Sequence, residues 1–189
     1  LLPNLGKGFF KTVSFSIVVD PKNPRLVANA VSKKREEREI AIFKVLRGCQ
    51  NVVSFISESS HANKHDSKKR AHGLVTELYN SGSVKDIVEK GIPLSLKERV
   101  TIVQDVLKGL VQIHKNGVRH RDLHLGNILV NIEPVVTTEA NRKVHAVISD
   151  FNLSRTAKEF KSKKSFQIAI NDDIAKFSHN IKSLFENAP

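Results

Sequence analysis

Three short stretches carry reactive side-chain types. HRDLHLGN at 120–127 sets Asp122 and Asn127 five residues apart, between a helical pattern and an apolar run. ISDFN ends a second apolar run on Asp150, and LGKGFFKTV at 5–13 opens a strand-like stretch with a Gly-x-Gly turn, Gly6 and Gly8. A carboxylate and an amide are hard oxygen ligands of the kind Mg²⁺ takes alongside waters and phosphate oxygens. A second carboxylate can receive the proton of an attacking hydroxyl, and glycines let a backbone approach an anion with no Cβ in the way. These are the parts that phosphoryl transfer requires. Each stretch alone has a structural explanation, since Asp, Asn and Gly are frequent in turns. All three in order, each in its expected setting, make a strong signal.

The elements that must position these groups follow from periodicity. FFKTVSFSIVV (9–19) and RLVANAV (25–31) read as strands parted by the turn residues DPKNP. NVVSFI and GLVTEL read as two more, on either side of a basic polar loop at 61–72. Between these pairs Ser32 opens a helical pattern in which Ile40, Phe43 and Leu46 share a face, with Gly48 as its C-terminal cap. SGSVKDIVEKG is a short helix capped by Ser83. Ser95 and Glu98 spell a capping box for a longer one, with an apolar face of Leu96, Val100, Val103, Val106, Leu107, Leu110 and Ile113. NILVNI (127–132) and VHAVISDF (144–151) are strands, and NDDIAKFSHNIKSLFEN is a final helix. Strand-rich sequence gives way to helix-rich sequence near residue 80.

Bulk composition narrows the class. The 189 residues are 40% apolar and 26% charged, enough to bury a core and unlike a disordered chain. The single cysteine, Cys49, forms no internal disulfide and rules out a four-thiolate zinc site. No apolar run approaches the roughly 20 residues of a membrane span. The chain opens on Leu without a signal-peptide pattern, so its native start is expected upstream. The net charge of +12 is concentrated at 61–72 and 155–164. Neither patch interleaves aromatics with its charges, which disfavours nucleic acid as a partner.

On these residues the chain resembles the eukaryotic-type protein kinases over nearly its whole length. HRDLHLGN resembles their catalytic loop, which implies Asp122 as catalytic base and Asn127 as a Mg²⁺ ligand. ISDFN resembles the DFG segment, with Asn152 in place of the glycine and Asp150 as the other metal ligand. LVTELYNSGS resembles the hinge: Thr76 would be the gatekeeper, with the Glu77 carbonyl and Tyr79 amide facing adenine and Val13, Ala28 and Leu129 packing on its ring. EIAIFKVLRGCQNVVSF resembles helix αC and the strand after it, making Glu39 the lysine-pairing glutamate. Phe43, Phe55, Phe151 and His120 would stack. The implied fold is α+β and two-lobed, an antiparallel β-rich lobe at 1–79 and a reduced helical lobe at 80–189. The implied reaction passes the γ-phosphoryl of ATP, with Mg²⁺ or Mn²⁺, to a protein hydroxyl, serine or threonine by default.

Several positions depart from the family pattern. Ala30 stands where V-A-x-K expects lysine; Lys11, in the glycine-loop strand, is the replacement in a swap resembling the with-no-lysine kinases, and Lys33 and Lys34 are its rivals. A flexible ammonium can act as a phosphate point charge from either strand. His124 takes the place of a lysine and can still donate one hydrogen bond. Its spelling, D-L-H-x-G-N, also resembles the aminoglycoside and choline kinase relatives, so small-molecule phosphotransfer is one alternative reading and a nucleotide-binding scaffold is another. Asn152 tolerates positive φ and is expected to keep the turn, holding Asp150 metal-ready. The final helix resembles αF, tied to His120 and Arg121 through Asp173, with no APE-like segment before it. That reduction resembles the compact effector kinases that bacterial pathogens inject into host cells; a truncated piece of an ordinary kinase is the plain alternative. The basic segment 155–164 falls at the activation loop and is the expected surface for an activating protein partner. The cytoplasm is the expected compartment, the host cytosol if the chain is an effector.

Overall fold

A computed structural model describes residues 4–7, 12–18, 25–32, 37–63, 66–133 and 142–186. The chain divides into two units, Leu1–Ala41 with Ser54–Leu78 and Ile42–Val53 with Tyr79–Pro189.

The first unit is an antiparallel sheet in the order β1-β2-β3-β5-β4, built from β1 (Asn4–Lys7), β2 (Thr12–Val18), β3 (Arg25–Ser32), β4 (Phe55–Asn63) and β5 (Asp66–Glu77). Alternation sets the register: Val13 lies opposite Ala30, and Ala28 opposite Phe15 on one side and Thr76 on the other. Val27, Leu74 and Val75 are its buried apolar residues. Of the basic stretch expected as a loop, residues 61–63 and 66–72 are instead strand, with β4 and β5 paired from Ser60↔His72 to Asn63↔Asp66. A ladder needs only backbone groups, so a polar hairpin leaves no hydrophobic period to read. Ser32 is likewise the buried last residue of β3 and not a helix cap. Helix α1 (Glu37–Val45) contains the division between the units and ends before Gly48, whose φ is 79°.

The second unit holds α2 (Val84–Glu89), α3 (Leu96–Lys115), β6 (Val118–Arg119), β7 (Ile128–Glu133), β8 (Lys143–Ile148), β9 (Arg155–Thr156), α4 (Lys163–Asn180) and α5 (Lys182–Glu186). Capping boxes begin α2 at Ser83 and α3 at Ser95, as their spelling predicts. The core sets Ile102, Val106, Leu110 and Ile113 of α3 with Ala146, Val147 and Ile148 of β8. Each such side chain contributes roughly 1.5–3 kcal/mol by leaving water. Gly109 allows this approach, because a Cβ there would lie 2.5 Å from the Asn51 carbonyl oxygen.

The expected apolar face of α3 is half wrong. Leu96, Val100 and Leu107 are 70%, 40% and 43% exposed. Their places in the buried stripe are taken by Glu98, Arg99 and Asp105. Glu98 binds Arg142, Arg99 donates to the carbonyls of Leu94 and Leu184, and Asp105 accepts the Ala146 N–H. A hydropathy pattern cannot anticipate polar groups buried with partners. Val52 and Val53, expected in the strand that leads to Phe55, belong to this unit, where Val52 bridges to Ile148. Helix α4 starts at Lys163, earlier than the expected 171, because Ser162 caps it.

Candidate active site

The site grows from one ladder. Ile128 and Ile148 are register partners in the β7–β8 pair. Just beyond it the Asn127 carbonyl accepts both the Ser149 N–H (2.9 Å) and the Ser149 hydroxyl (3.1 Å). Asn127 therefore lies beside the strand end that carries Asp150. The Asn127 Nδ2 donates to the Asp122 carbonyl at 2.8 Å, which fixes the amide and leaves Oδ1 as its acceptor. Asn127 is thus hydrogen-bonded to Asp122 on one side and, on the other, to Ser149, which precedes Asp150.

The turn between them is shaped by His124. Its Nδ1 accepts the Gly126 N–H at 3.0 Å, and its carbonyl accepts the Asn127 N–H at 2.9 Å. A Cβ on Gly126 would meet the imidazole at 2.9 Å, so a larger residue there would push the ring off its hydrogen bond. With Nδ1 accepting, the proton sits on Nε2, 3.7 Å from Asp122 Oδ2.

His120 is fully buried. Its Nε2 lies 2.9 Å from the Ser149 carbonyl, which can only accept, and its Nδ1 takes the Asp122 N–H at 3.2 Å. One neutral tautomer is thereby fixed. Burial pushes its pKa below the ordinary histidine value, outweighing the Ser149 carbonyl and the carboxylates of Asp173, Asp150 and Asp122. Its ring stands edge-on to Phe151 at 5.0 Å, and Phe151 meets Phe43 at 5.5 Å. These are three of the four expected stacking residues; Phe55 lies in the first unit.

Asp173 of α4 anchors the loop. Fully buried, it accepts the backbone N–H groups of His120 and Arg121, both at 2.9 Å, and faces His114 Nε2 at 3.1 Å. Burial would raise its pKa, but the His114 hydrogen bond and the two amides outweigh it and hold it below the usual carboxylate range. Arg121 sits at φ 74°, a left-handed conformation uncommon for a non-glycine residue. That conformation is held from three sides: Asp173, Lys176 Nζ on the Arg121 carbonyl at 2.6 Å, and Arg121 Nη1 on the Leu153 carbonyl at 3.3 Å. Asn180 Nδ2 adds a bond to the Leu123 carbonyl. Sequence reasoning found Asp173 but missed Lys176 and Asn180. Their spacing of three and seven from Asp173 along one helix face was the available signal.

Positive φ falls on Asp150 (60°) and not on Asn152, the residue expected to carry it. Aspartate also tolerates this region. Asn152 buries its Oδ1 without a hydrogen-bond partner.

In the first unit Gly6 lies opposite Val13, Thr76 is the register partner of Ala28, and the Thr76 hydroxyl donates to the Glu77 carbonyl at 3.2 Å. Glu39 is buried in α1. Gly8, Lys11, Lys33 and Lys34 lie outside the described residues. Tyr79 and Leu129 belong to the second unit, where Leu129 bridges to Ser83.

Among the described residues no cluster of three or more His, Cys, Asp or Glu could hold a metal. The oxygen donors of Asn127 and the half-buried Asp150 nevertheless suit Mg²⁺, which takes few protein ligands when phosphates and waters complete its shell. No helix among the described residues is long and apolar enough to cross a membrane.

Comparison with known proteins agrees with this geometry. Residues 3–171 match the family described as protein kinase domain. The chain is 29% identical over 135 residues to the serine/threonine-protein kinase pakG of Dictyostelium discoideum, covering 70% of this chain and 11% of that protein. It is 32% identical over 117 residues to the human dual specificity testis-specific protein kinase 1, 62% of this chain and 16% of that one. Against the serine/threonine-protein kinase BCK1/SLK1/SSP31 of Saccharomyces cerevisiae identity is 24% over 163 residues, 84% of this chain and 10% of the relative. The chain thus spans between a tenth and a sixth of these relatives' lengths. With a family match over most of its residues and the catalytic-loop geometry above, the chain belongs to the protein kinase domain family.

Proposed function

We propose that this chain transfers the γ-phosphoryl group of ATP to a serine or threonine hydroxyl of a protein. The observation that carries the reading is Asn127, whose side chain is bonded to the Asp122 carbonyl and whose own carbonyl is bonded to Ser149, the residue before Asp150. Asp122 is the base that receives the hydroxyl proton, and the His124 Nε2–H beside it orients its carboxylate. Asn127 Oδ1 and Asp150 hold Mg²⁺, and the same oxygens accept Mn²⁺. When bound, the metal neutralises charge on the phosphate oxygens. Lys11 supplies the phosphate-facing cation that Ala30 lacks, with Glu39 as its organiser. On the first unit Gly6, Gly8, Val13, Ala28, Thr76 and Glu77 are assigned to the nucleotide, and on the second Tyr79 and Leu129. The functional lobes are residues 1–79 and 80–189. An activating protein partner and a cytosolic setting, host or native, complete the proposal.

The test incubates the purified chain with Mg²⁺, γ-labelled ATP and a serine- and threonine-rich protein. Label is expected on protein. It should fall by about 10²–10⁴-fold in Asp122→Asn, as for loss of a general base, and also in Asp150→Ala and Lys11→Ala. Label absent, or indifferent to Asp150→Ala, would leave a scaffold. Label found only on an added amine or alcohol would mean a small-molecule kinase, and label surviving Lys11→Ala but lost in Lys33→Ala or Lys34→Ala would move the lysine role.

A further inference from the structure

From β9 to the first turn of α4 five cations, Arg155, Lys158, Lys161, Lys163 and Lys164, are all exposed. Among the described residues none of the five has an ion-pair partner. The sole acid on the stretch, Glu159, is engaged by the Thr156 N–H at 2.7 Å. The stretch thus sets five exposed cations against one acid.

The stretch is also firmly mounted. Arg155 and Thr156 pair with β6, the Ala157 N–H donates to the Gly117 carbonyl at 2.6 Å, and Phe160 packs edge-on against Phe166 of α4 at 5.3 Å. Upstream, the Ser154 hydroxyl donates to the His120 carbonyl at 3.2 Å and Arg121 reaches the Leu153 carbonyl, so the mount is fastened to the catalytic loop itself. The stretch therefore starts beside the loop that carries Asp122. A backbone held in this way presents its cations together, and they steer an oppositely charged partner.

We infer that the stretch from Arg155 to Lys164 reads acidic residues flanking the acceptor hydroxyl, so that the substrate class is acidic peptide segments. The inference rests on the kinase reading above. Nucleic acid fits less well, because the one aromatic of the stretch, Phe160, is packed on Phe166 of α4 and offers no stacking platform.

The experiment compares two serine peptides of equal length, one with Asp and Glu around the serine and one with Gln and Asn. Fluorescence anisotropy and steady-state phosphorylation are both read at low and physiological salt. The acidic peptide is expected to bind about tenfold more tightly at low salt, with the gap shrinking as salt screens the charges. In the variant Lys158→Gln, Lys161→Gln, Lys163→Gln, Lys164→Gln that gap, and the ratio of the two KM values, should fall to near one. These side chains are exposed, so the fold should be retained, which far-UV circular dichroism checks. Equal binding of the two peptides by the parent chain overturns the inference, as does a variant that keeps the preference. Tighter binding of a single-stranded oligonucleotide of equal charge would overturn it in favour of nucleic acid. Preferential binding without phosphorylation of either peptide would uphold the surface and sink the catalytic reading instead.

Discussion

Asp173 grips the catalytic loop by its main chain. Its two oxygens each accept one backbone N–H, of His120 and of Arg121, while Arg121 stays left-handed. An amide cannot reproduce this, because its NH₂ group would face a backbone donor. Asp173→Asn should destabilise the chain by about 2–3 kcal/mol through an unsatisfied buried donor, measured by urea unfolding. Phosphotransfer should fall by more than the folded fraction does, since Arg121 and Asp122 would relax. Activity tracking the folded fraction alone would reduce Asp173 to a stabilising role. His124, whose Nε2 lies 3.7 Å from Asp122 Oδ2, is the residue proposed to orient that carboxylate. His124→Gln keeps a donor and should retain more of kcat than His124→Ala, with KM for ATP nearly unchanged in both.

Among the elements, α3 shows how far local chemistry carries. The Ser95–Glu98 capping box predicts its start, and both halves of the box form, with the Ser95 N–H on Glu98 at 2.6 Å and the Glu98 N–H on Ser95 Oγ at 3.3 Å. Ser95→Ala should cost about 1 kcal/mol and Ser95→Asp considerably less, read from the midpoint of chemical denaturation; equal losses would mean the side-chain cap contributes nothing. Caps were legible because they are written within four residues. The buried face of α3 was not, since Glu98, Arg99 and Asp105 are buried only by virtue of Arg142, the carbonyls of Leu94 and Leu184 and the Ala146 amide, all remote in sequence. The same distinction runs through the site. Asp122, Asn127 and Asp150 were legible from their spelling, whereas Lys176 and Asn180 matter only once α4 lies against the loop. The polar β4–β5 hairpin was hidden because a backbone ladder leaves no trace in hydropathy.

For the molecule as a whole, stability should follow pH in two stages. Folding holds His120 neutral, through burial first, so its folded pKa lies below its unfolded value near 6.5. Below that value the unfolded chain binds a proton that the folded one refuses, and stability falls with a slope approaching about 1.4 kcal/mol per pH unit. Asp173 and Asp86 act lower down. Burial opposes their ionisation, but hydrogen bonds, from His114 and the loop amides and from Ser83, prevail and lower both. Their contribution is present above the unfolded carboxylate range, about 4, and disappears as pH drops through the folded values. Urea titrations from pH 7.5 to 5 test the first stage; a flat profile there would mean His120 titrates normally.

The bonds that secure the loop also set how it opens. The amides of His120, Arg121, Asn127 and Ser149 are all donors to Asp173, His124 or Asn127 within the second unit. Losing one bond exposes the next, so their protons should trade with deuterium at a common rate governed by a single cooperative opening.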